Sequence, residues 1–173
     1  MTAHYIDLRN ALVSGIAGTT AMTAFSYLVS QKQEKYFKEP EILNDLLYRL
    51  LGGAKRNRKS LPGFLGHYAT GILFSTVYNV FAKKMRPLPS TAGGLASGLA
   101  FGLLGIGIWK TVFSLHPRPP KIDLNSFLGH LIVAHVIFGE TVAVTTAFFR
   151  KMPSRIRNVS RCTVSGDIKP GNS

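Results

Sequence analysis

FLGHLIVAHVIFGETVAVTTAFF, residues 127–149, contains one acidic residue, Glu140, and no lysine or arginine. Asp123 precedes it and Arg150-Lys151 closes it. A bilayer's hydrocarbon core, about 30 Å thick, needs roughly 20 helical residues at about 1.5 Å rise each. This stretch is long enough. A water-facing helix would place charges on one side of every turn, and this one does not. Outward from it lie three further apolar stretches, at 11–29, 64–82 and 92–113. Of the 21 Lys+Arg and 8 Asp+Glu, only Glu140 sits well inside a stretch, with Lys110 near the end of another. The expected fold is therefore all-α, an integral membrane four-helix bundle.

The averages hide this segregation. Hydrophobic residues make up 46% of the 173, and mean hydropathy is only +0.15. The net charge of +13 would suit nucleic acid, but the basic residues cluster beside the apolar stretches and form no aromatic-basic platform. Anionic lipid headgroups are the expected partner, at about 1 kcal/mol per basic residue near the surface. No nucleic-acid binding is expected. Cys162, alone, can form no internal disulfide. The first stretch, preceded by Arg9 alone and lacking a small-residue cleavage site, is expected to remain as a span rather than leave as a signal peptide.

Segment 1–10 leads into the first span, 11–29, where Ser14, Gly15, Ala17, Gly18, Ala21 and Ala24 favour close helix approach. The loop 30–63 holds a predicted amphipathic helix at about 40–51. Its apolar face is Ile42, Leu43, Leu46, Leu47, Leu50 and Leu51, Gly52-Gly53 ends it, and Lys55-Arg56-Asn57-Arg58-Lys59 follows. Two placements suit it equally: lying in the membrane interface, or packed over the mouth of the bundle. The span 64–82 exits into Lys83-Lys84-Met85-Arg86 and turns back into 92–113 as an antiparallel neighbour. In 92–113, Gly94, Gly98, Gly102 and Gly105 share one face, a helix-packing stripe of the GxxxG kind. The proline-stiffened His116–Pro120 joins it to 127–149, and 150–173 is a basic, polar tail.

Phe64-Leu65-Gly66-His67 and Phe127-Leu128-Gly129-His130 open the second and fourth spans, and Ser14-Gly15 is echoed by Ser97-Gly98. Two copies of a two-span hairpin would give this pattern, as would coincidence among common membrane residues. Lys and Arg divide ten and ten between the two sides, leaving Lys110 aside, so the positive-inside rule does not decide orientation. Lys83-Lys84 and Arg150-Lys151 abut their spans and favour cytoplasmic termini in a bacterial inner membrane.

Glu140 stands near the middle of its span, where an acid costs about 2.5–3.5 kcal/mol on insertion scales. Tyr78, Thr19, Thr20 and the stretch Gly98–Gly102 are its expected neighbours in depth. Either it exchanges protons, with Tyr78 and His135 as polar company, or it is a neutral acid binding helices together. His130, His135 and Glu140 step about 140° apart at 3.6 residues per turn, so they form no ladder on one face. His67 and His130, matched in depth, form a candidate ligand pair for a metal or haem, though two histidines are a weak ligand set. No cofactor is expected. Walker, GxSxG, HExxH and CxxC patterns are absent, so no enzymatic activity is expected.

The segments Gly15-Ile16-Ala17-Gly18-Thr19-Thr20-Ala21-Met22-Thr23-Ala24 and Trp109-Lys110…Leu115-His116-Pro117-x-Pro119-Pro120 look like small, uncharacterised four-span bacterial membrane proteins. That resemblance implies a location and no chemistry. Three functions fit the sequence. The first is a non-catalytic scaffold or envelope-associated protein, open to forming a homo-oligomer. The second is a small proton-linked transporter or channel using Glu140. The third is a haem or metal redox protein using His67 and His130.

Overall fold

The computed structural model describes residues 8–51, 61–84 and 90–151. They form five helices: α1 (Leu8–Gln33), α2 (Glu39–Leu50), α3 (Leu61–Lys84), α4 (Thr91–Leu115) and α5 (Leu124–Lys151). No strand occurs among the described residues. Gly52-Gly53, the basic run Lys55–Lys59, Met85-Arg86 and Cys162 lie outside them.

Local chemistry sets the helix ends. Glu34, directly after α1, takes φ 55° and turns the chain with a left-handed residue. Pro40 sits in the first turn of α2 beside the acids Glu39 and Glu41, which suit the helix dipole. Ser90 caps α4 by accepting from Gly93 N at 3.2 Å. Asp123 caps α5, taking Ser126 N at 3.2 Å and Ser126 Oγ at 2.6 Å. Those two bonds, chiefly the one from the hydroxyl, hold Asp123 below the usual carboxylate range.

Three helices, α1, α4 and α5, are long and apolar enough to cross a membrane. The chain is a helical membrane protein. Helix α3, at 24 residues, has the length, but His67, Tyr68, Thr70, Ser75, Thr76, Tyr78 and Asn79 are spread along it and leave no stretch as apolar as the best ones of α1, α4 and α5.

Helix α1 packs against both α3 and α5, α4 packs along α5, and α2 lies on α3. Glycine sets the closest approaches. A Cβ on Gly15 would lie 2.8 Å from Ile72 Cα, and one on Gly98 would lie 2.7 Å from Val136 Cα. When the two Phe-Leu-Gly-His segments are aligned, Ile72 is equivalent to His135, the immediate neighbour of Val136. The α1/α3 and α4/α5 pairs therefore cross at matching points. The buried residues of α4 are Gly94, Gly98, Gly102 and Gly105, and Leu95, Leu99, Leu103 and Ile108 stand exposed.

Two contacts fix one end of the bundle. Lys35 reaches Asp123 at 3.8 Å and Ser126 Oγ at 2.9 Å, tying the α1–α2 connection to the α4–α5 connection. His116 Nδ1 accepts from Arg118 N at 3.1 Å, so Nε2 carries the proton and donates to Leu46 O at 3.0 Å. Helix α2 is therefore clamped to that same end. Ile42 and Leu46 are buried with Phe127, Leu128 and Leu131 of α5. Leu47, Leu50 and Leu51, expected on the same apolar face, are exposed.

The register of the α4/α5 pair moves Glu140 away from one set of expected neighbours, the stretch Gly98–Gly102. A Cβ on Gly94 would meet Glu140 Cα at 3.0 Å, while Gly98 and Gly102 lie against His135-Val136 and Ile132. Glu140 is therefore level with the start of α4 rather than its centre. The reason is length: α5 runs to Lys151, well past the point where α4 begins at Thr91.

Candidate functional site

Helix α1 presents a stripe of buried polar side chains, Thr19, Thr23, Ser26 and Ser30, at spacings of three or four. Each engages another part of the chain. Ser30 Oγ accepts from Phe37 N at 2.9 Å, drawing the loop inward so that α2 starts beneath α1. Thr23 Oγ1 and His67 Nε2 share a hydrogen bond of 3.0 Å. Thr19 Oγ1 donates to Gly15 O at 2.8 Å and fills the space that Gly71 leaves open.

Ser26 is the centre of the site. Its hydroxyl donates to Glu39 Oε1 at 2.8 Å and lies 2.9 Å from His130 Nε2. Having given its only proton to Glu39, Ser26 must accept from His130 Nε2–H. When Glu39 is protonated the direction reverses: Glu39 donates to Ser26, and Ser26 donates to a bare His130 nitrogen. Either polarity keeps both hydrogen bonds of the Ser26 hydroxyl. The His130 ring is held between two phenyl rings, stacked on Phe37 at 4.4 Å and 8° and on Phe25 at 5.2 Å and 3°. Its plane is therefore fixed.

Glu39 is 1% exposed. Burial pushes its carboxyl up to about 8, against the opposing pull of its own backbone amide and the Ser26 hydroxyl. Its second oxygen, Oε2, is buried and has no hydrogen-bond partner, which costs on the order of 1–3 kcal/mol unless something fills the place. The nearby charges are otherwise engaged. Lys38 pairs with Glu41 at 3.5 Å, and Glu41 also accepts from Tyr27 and Tyr36, each at 3.0 Å.

A serine, a histidine and a carboxyl suggest a hydrolytic triad, but the wiring is wrong for one. The carboxyl bonds the serine, with Oε1 4.0 Å from His130 Nε2, instead of orienting the imidazole from its far nitrogen. Ser26 is also wholly buried, at 0% exposure, so no substrate carbonyl can reach it.

Beside Glu39 lies a cavity of about 150 Å³ to which all five helices contribute. Its wall includes Thr19 and Met22 (α1), Glu39 and Leu43 (α2), and His67, Thr70 and Phe74 (α3). Helices α4 and α5 add Gly105, Ile108, Trp109, Leu131 and His135. Thr70 of α3 and Ile108 of α4 are exposed, so the cavity opens between these two helices. His135 Nδ1–H donates to Leu131 O at 2.8 Å, which leaves Nε2 as an acceptor close to Gly105.

The residues singled out from sequence therefore divide into two groups. His67 and His135 share the cavity wall. His130 stands behind Ser26, and the Nε2 atoms of His67 and His130 bind different α1 hydroxyls. Among the described residues, no three His, Cys, Asp or Glu side chains are grouped to hold a metal. Glu140 and Tyr78 converge on the start of α4 instead, with Tyr78 Oη 3.8 Å from a Cβ built on Gly93. Neither lines the cavity.

Glu39, Ser26 and Thr23 were missed in the sequence. Within Lys38-Glu39-Pro40-Glu41 a buried carboxyl looks like part of a solvated charge run. The available signal was position: Glu39 falls on the stripe of Ile42 and Leu46, the buried face of α2.

Fold and site together define a helical membrane protein whose helices line a mostly apolar cavity carrying a few polar groups. No family model matches the chain, and no curated protein or solved structure matches it either.

Proposed function

We propose that this protein is a four-span membrane carrier that exchanges a proton at Glu39 for a small solute in the five-helix cavity. The observation that carries this reading is Glu39 itself, a buried carboxyl with one unpartnered oxygen, in a residue that lines the cavity together with two histidines. A scaffold needs only the glycine-lined contacts, and such a carboxyl would weaken it for no return. The transporter reading from sequence is kept, with its carboxyl moved from Glu140 to Glu39.

In this reading α3 is the fourth span. Its polar residues face α1 and the cavity: Ser75 Oγ lies 2.7 Å from Ser14 Oγ, and Thr23 bonds His67. Helix α2 lies at the membrane interface, its exposed Leu47, Leu50 and Leu51 meeting acyl chains. The matched crossings at Gly15 and Gly98 favour descent from two copies of one hairpin. The exposed leucines of α4 meet lipid.

The test uses proteoliposomes with an entrapped pH dye, challenged with small amines, carboxylates, alcohols and sugars. At least one class should change the internal pH above protein-free vesicles, and Glu39→Gln should abolish the response. If no class moves protons in wild-type vesicles, the carrier reading fails.

A further inference from the structure

The hydrogen-bonding groups around the cavity are strongly one-sided. Thr19 Oγ1–H is committed to Gly15 O at 2.8 Å, and Thr70 Oγ1–H to Gly66 O at 2.9 Å. His135 gives its Nδ1 proton to Leu131 O. The capacity left on each of these groups is lone pairs. Glu39 Oε2 adds another oxygen without a partner. The exceptions are the Trp109 indole, which can only donate, and His67, whose Nε2 bonds Thr23 and whose Nδ1 donates or accepts with the tautomer. Met22, Phe74 and Leu131 make the rest of the wall apolar.

We infer that the cavity binds a small primary alkylammonium, its N–H groups donating to Glu39 Oε2 and His135 Nε2 and its hydrocarbon body lying against Met22, Phe74 and Leu131. The inference rests on the cavity being a solute site, as proposed above. At about 150 Å³ the space equals roughly five waters, at about 30 Å³ each, which suits an amine the size of butylamine. A neutral alcohol supplies one donor where an ammonium supplies three, and a carboxylate supplies none and would face Glu39.

The exchange balances in charge. The carboxyl O–H of Glu39 breaks, its proton leaves to water, and the electron pair stays on the carboxylate that now faces the ammonium. One cation leaves as one enters, so the apolar surroundings never hold a net added charge. The groups facing Glu39 are Ser26 from α1, His67 from α3, and His130 and His135 from α5. On its own segment, Lys38 and Glu41 are paired with each other. Because burial keeps Glu39 protonated up to about pH 8, binding should strengthen about tenfold per unit rise in pH up to that point and level off above it.

The experiment is calorimetric titration of the full chain, in detergent, with butylamine, in two buffers of different ionisation enthalpy. About one proton should be released per ammonium bound around pH 7, and almost none well above pH 8. Butanol, butyrate and tetramethylammonium, which lack the charge or the N–H donors, should bind more than about tenfold more weakly. Glu39→Gln should retain its helical circular dichroism and lose the proton release. Should that variant not fold, the wild-type proton count and the three control ligands decide. Repeating the titration with phosphatidylethanolamine separates the sources: displacement of butylamine assigns the site to a lipid headgroup amine, and no displacement assigns it to a free solute. Butanol binding as tightly as butylamine, butylamine binding without proton release around pH 7, or no butylamine binding would overturn the inference. If butylamine fails while another solute class moves protons in vesicles, only the ligand class falls; if nothing moves protons, the carrier reading falls with it.

Discussion

At the residue scale, Glu39 couples the fold to pH. Its carboxyl is raised from 4.5 to about 8, so between those values the folded protein holds a proton that the unfolded chain has released. The stability is fully present below about pH 4.5 and is lost as pH rises through about 8, at a slope near 1.4 kcal/mol per pH unit. Denaturation in detergent at a series of pH values should show this fall, and Glu39→Gln should flatten it. An unchanged slope in the variant would assign the pH dependence to other groups. A second residue makes a simpler prediction. Glu34 holds φ 55°, where a side chain costs roughly 1 kcal/mol that glycine avoids. Glu34→Gly should therefore raise stability by up to about 1 kcal/mol, read as a higher melting midpoint. Neither property is visible in the letters of the sequence, because Glu34 and Glu39 both sit in what looks like an ordinary charged connection.

At the element scale, the α4/α5 contact is made by backbone. A Cβ on Gly98 would lie 2.6 Å from His135 O, and one on Gly139 would run into Gly94 O. Gly98→Ala or Gly139→Ala must push the helices apart, at about 1–3 kcal/mol. Gly107 and Gly129 have nothing within 4 Å of the same position, and their alanine variants should gain roughly 0.5–1 kcal/mol from lower backbone entropy. Thermal melts of the four single variants would test the contrast; equal effects would show that this contact does not limit stability. The stripe of α4 glycines was legible because small residues every fourth position have few other uses in a membrane helix. Their exact partners were not, since register depends on where α5 ends relative to α4, and no residue of α4 encodes that. The polar character of α3 was likewise visible but unexplained. Its Ser75, Tyr68 and His67 satisfy partners on α1 that are distant in sequence, Ser14, Thr20 and Thr23.

At the scale of the whole molecule, the four spans expected from the apolar stretches turn on whether α3 crosses the membrane with the other three long helices. Its hydropathy argues against crossing, and its partners argue for it. Near one end of α1, Ser14 meets Ser75 and Asn79 Nδ2, at 2.7 and 3.4 Å. Near the other end, Thr23 meets His67 at 3.0 Å. Residue numbers rise along α1 while those of its partners fall, so α3 runs antiparallel beside α1 through most of its length. His67, Tyr68, Ser75 and Asn79 are answered by α1, Thr70 and Thr76 bond carbonyls of their own helix, and Leu61, Leu65, Leu73, Val80 and Phe81 are the exposed large apolar residues left for lipid. Lys35 and Asp123 meet at one end of the bundle, and Lys84 and Lys151, the last residues of α3 and α5, belong at the other. Single cysteines at these four positions, in a chain with Cys162 replaced by serine, should therefore divide two and two. In sealed vesicles an impermeant maleimide should label Lys35→Cys and Asp123→Cys from one side. Lys84→Cys and Lys151→Cys should react only once the vesicles are opened, or the reverse in vesicles of opposite orientation. If Lys84→Cys labels together with Lys35→Cys while Lys151→Cys stays protected, α3 does not cross, and the carrier loses the helix that closes its cavity.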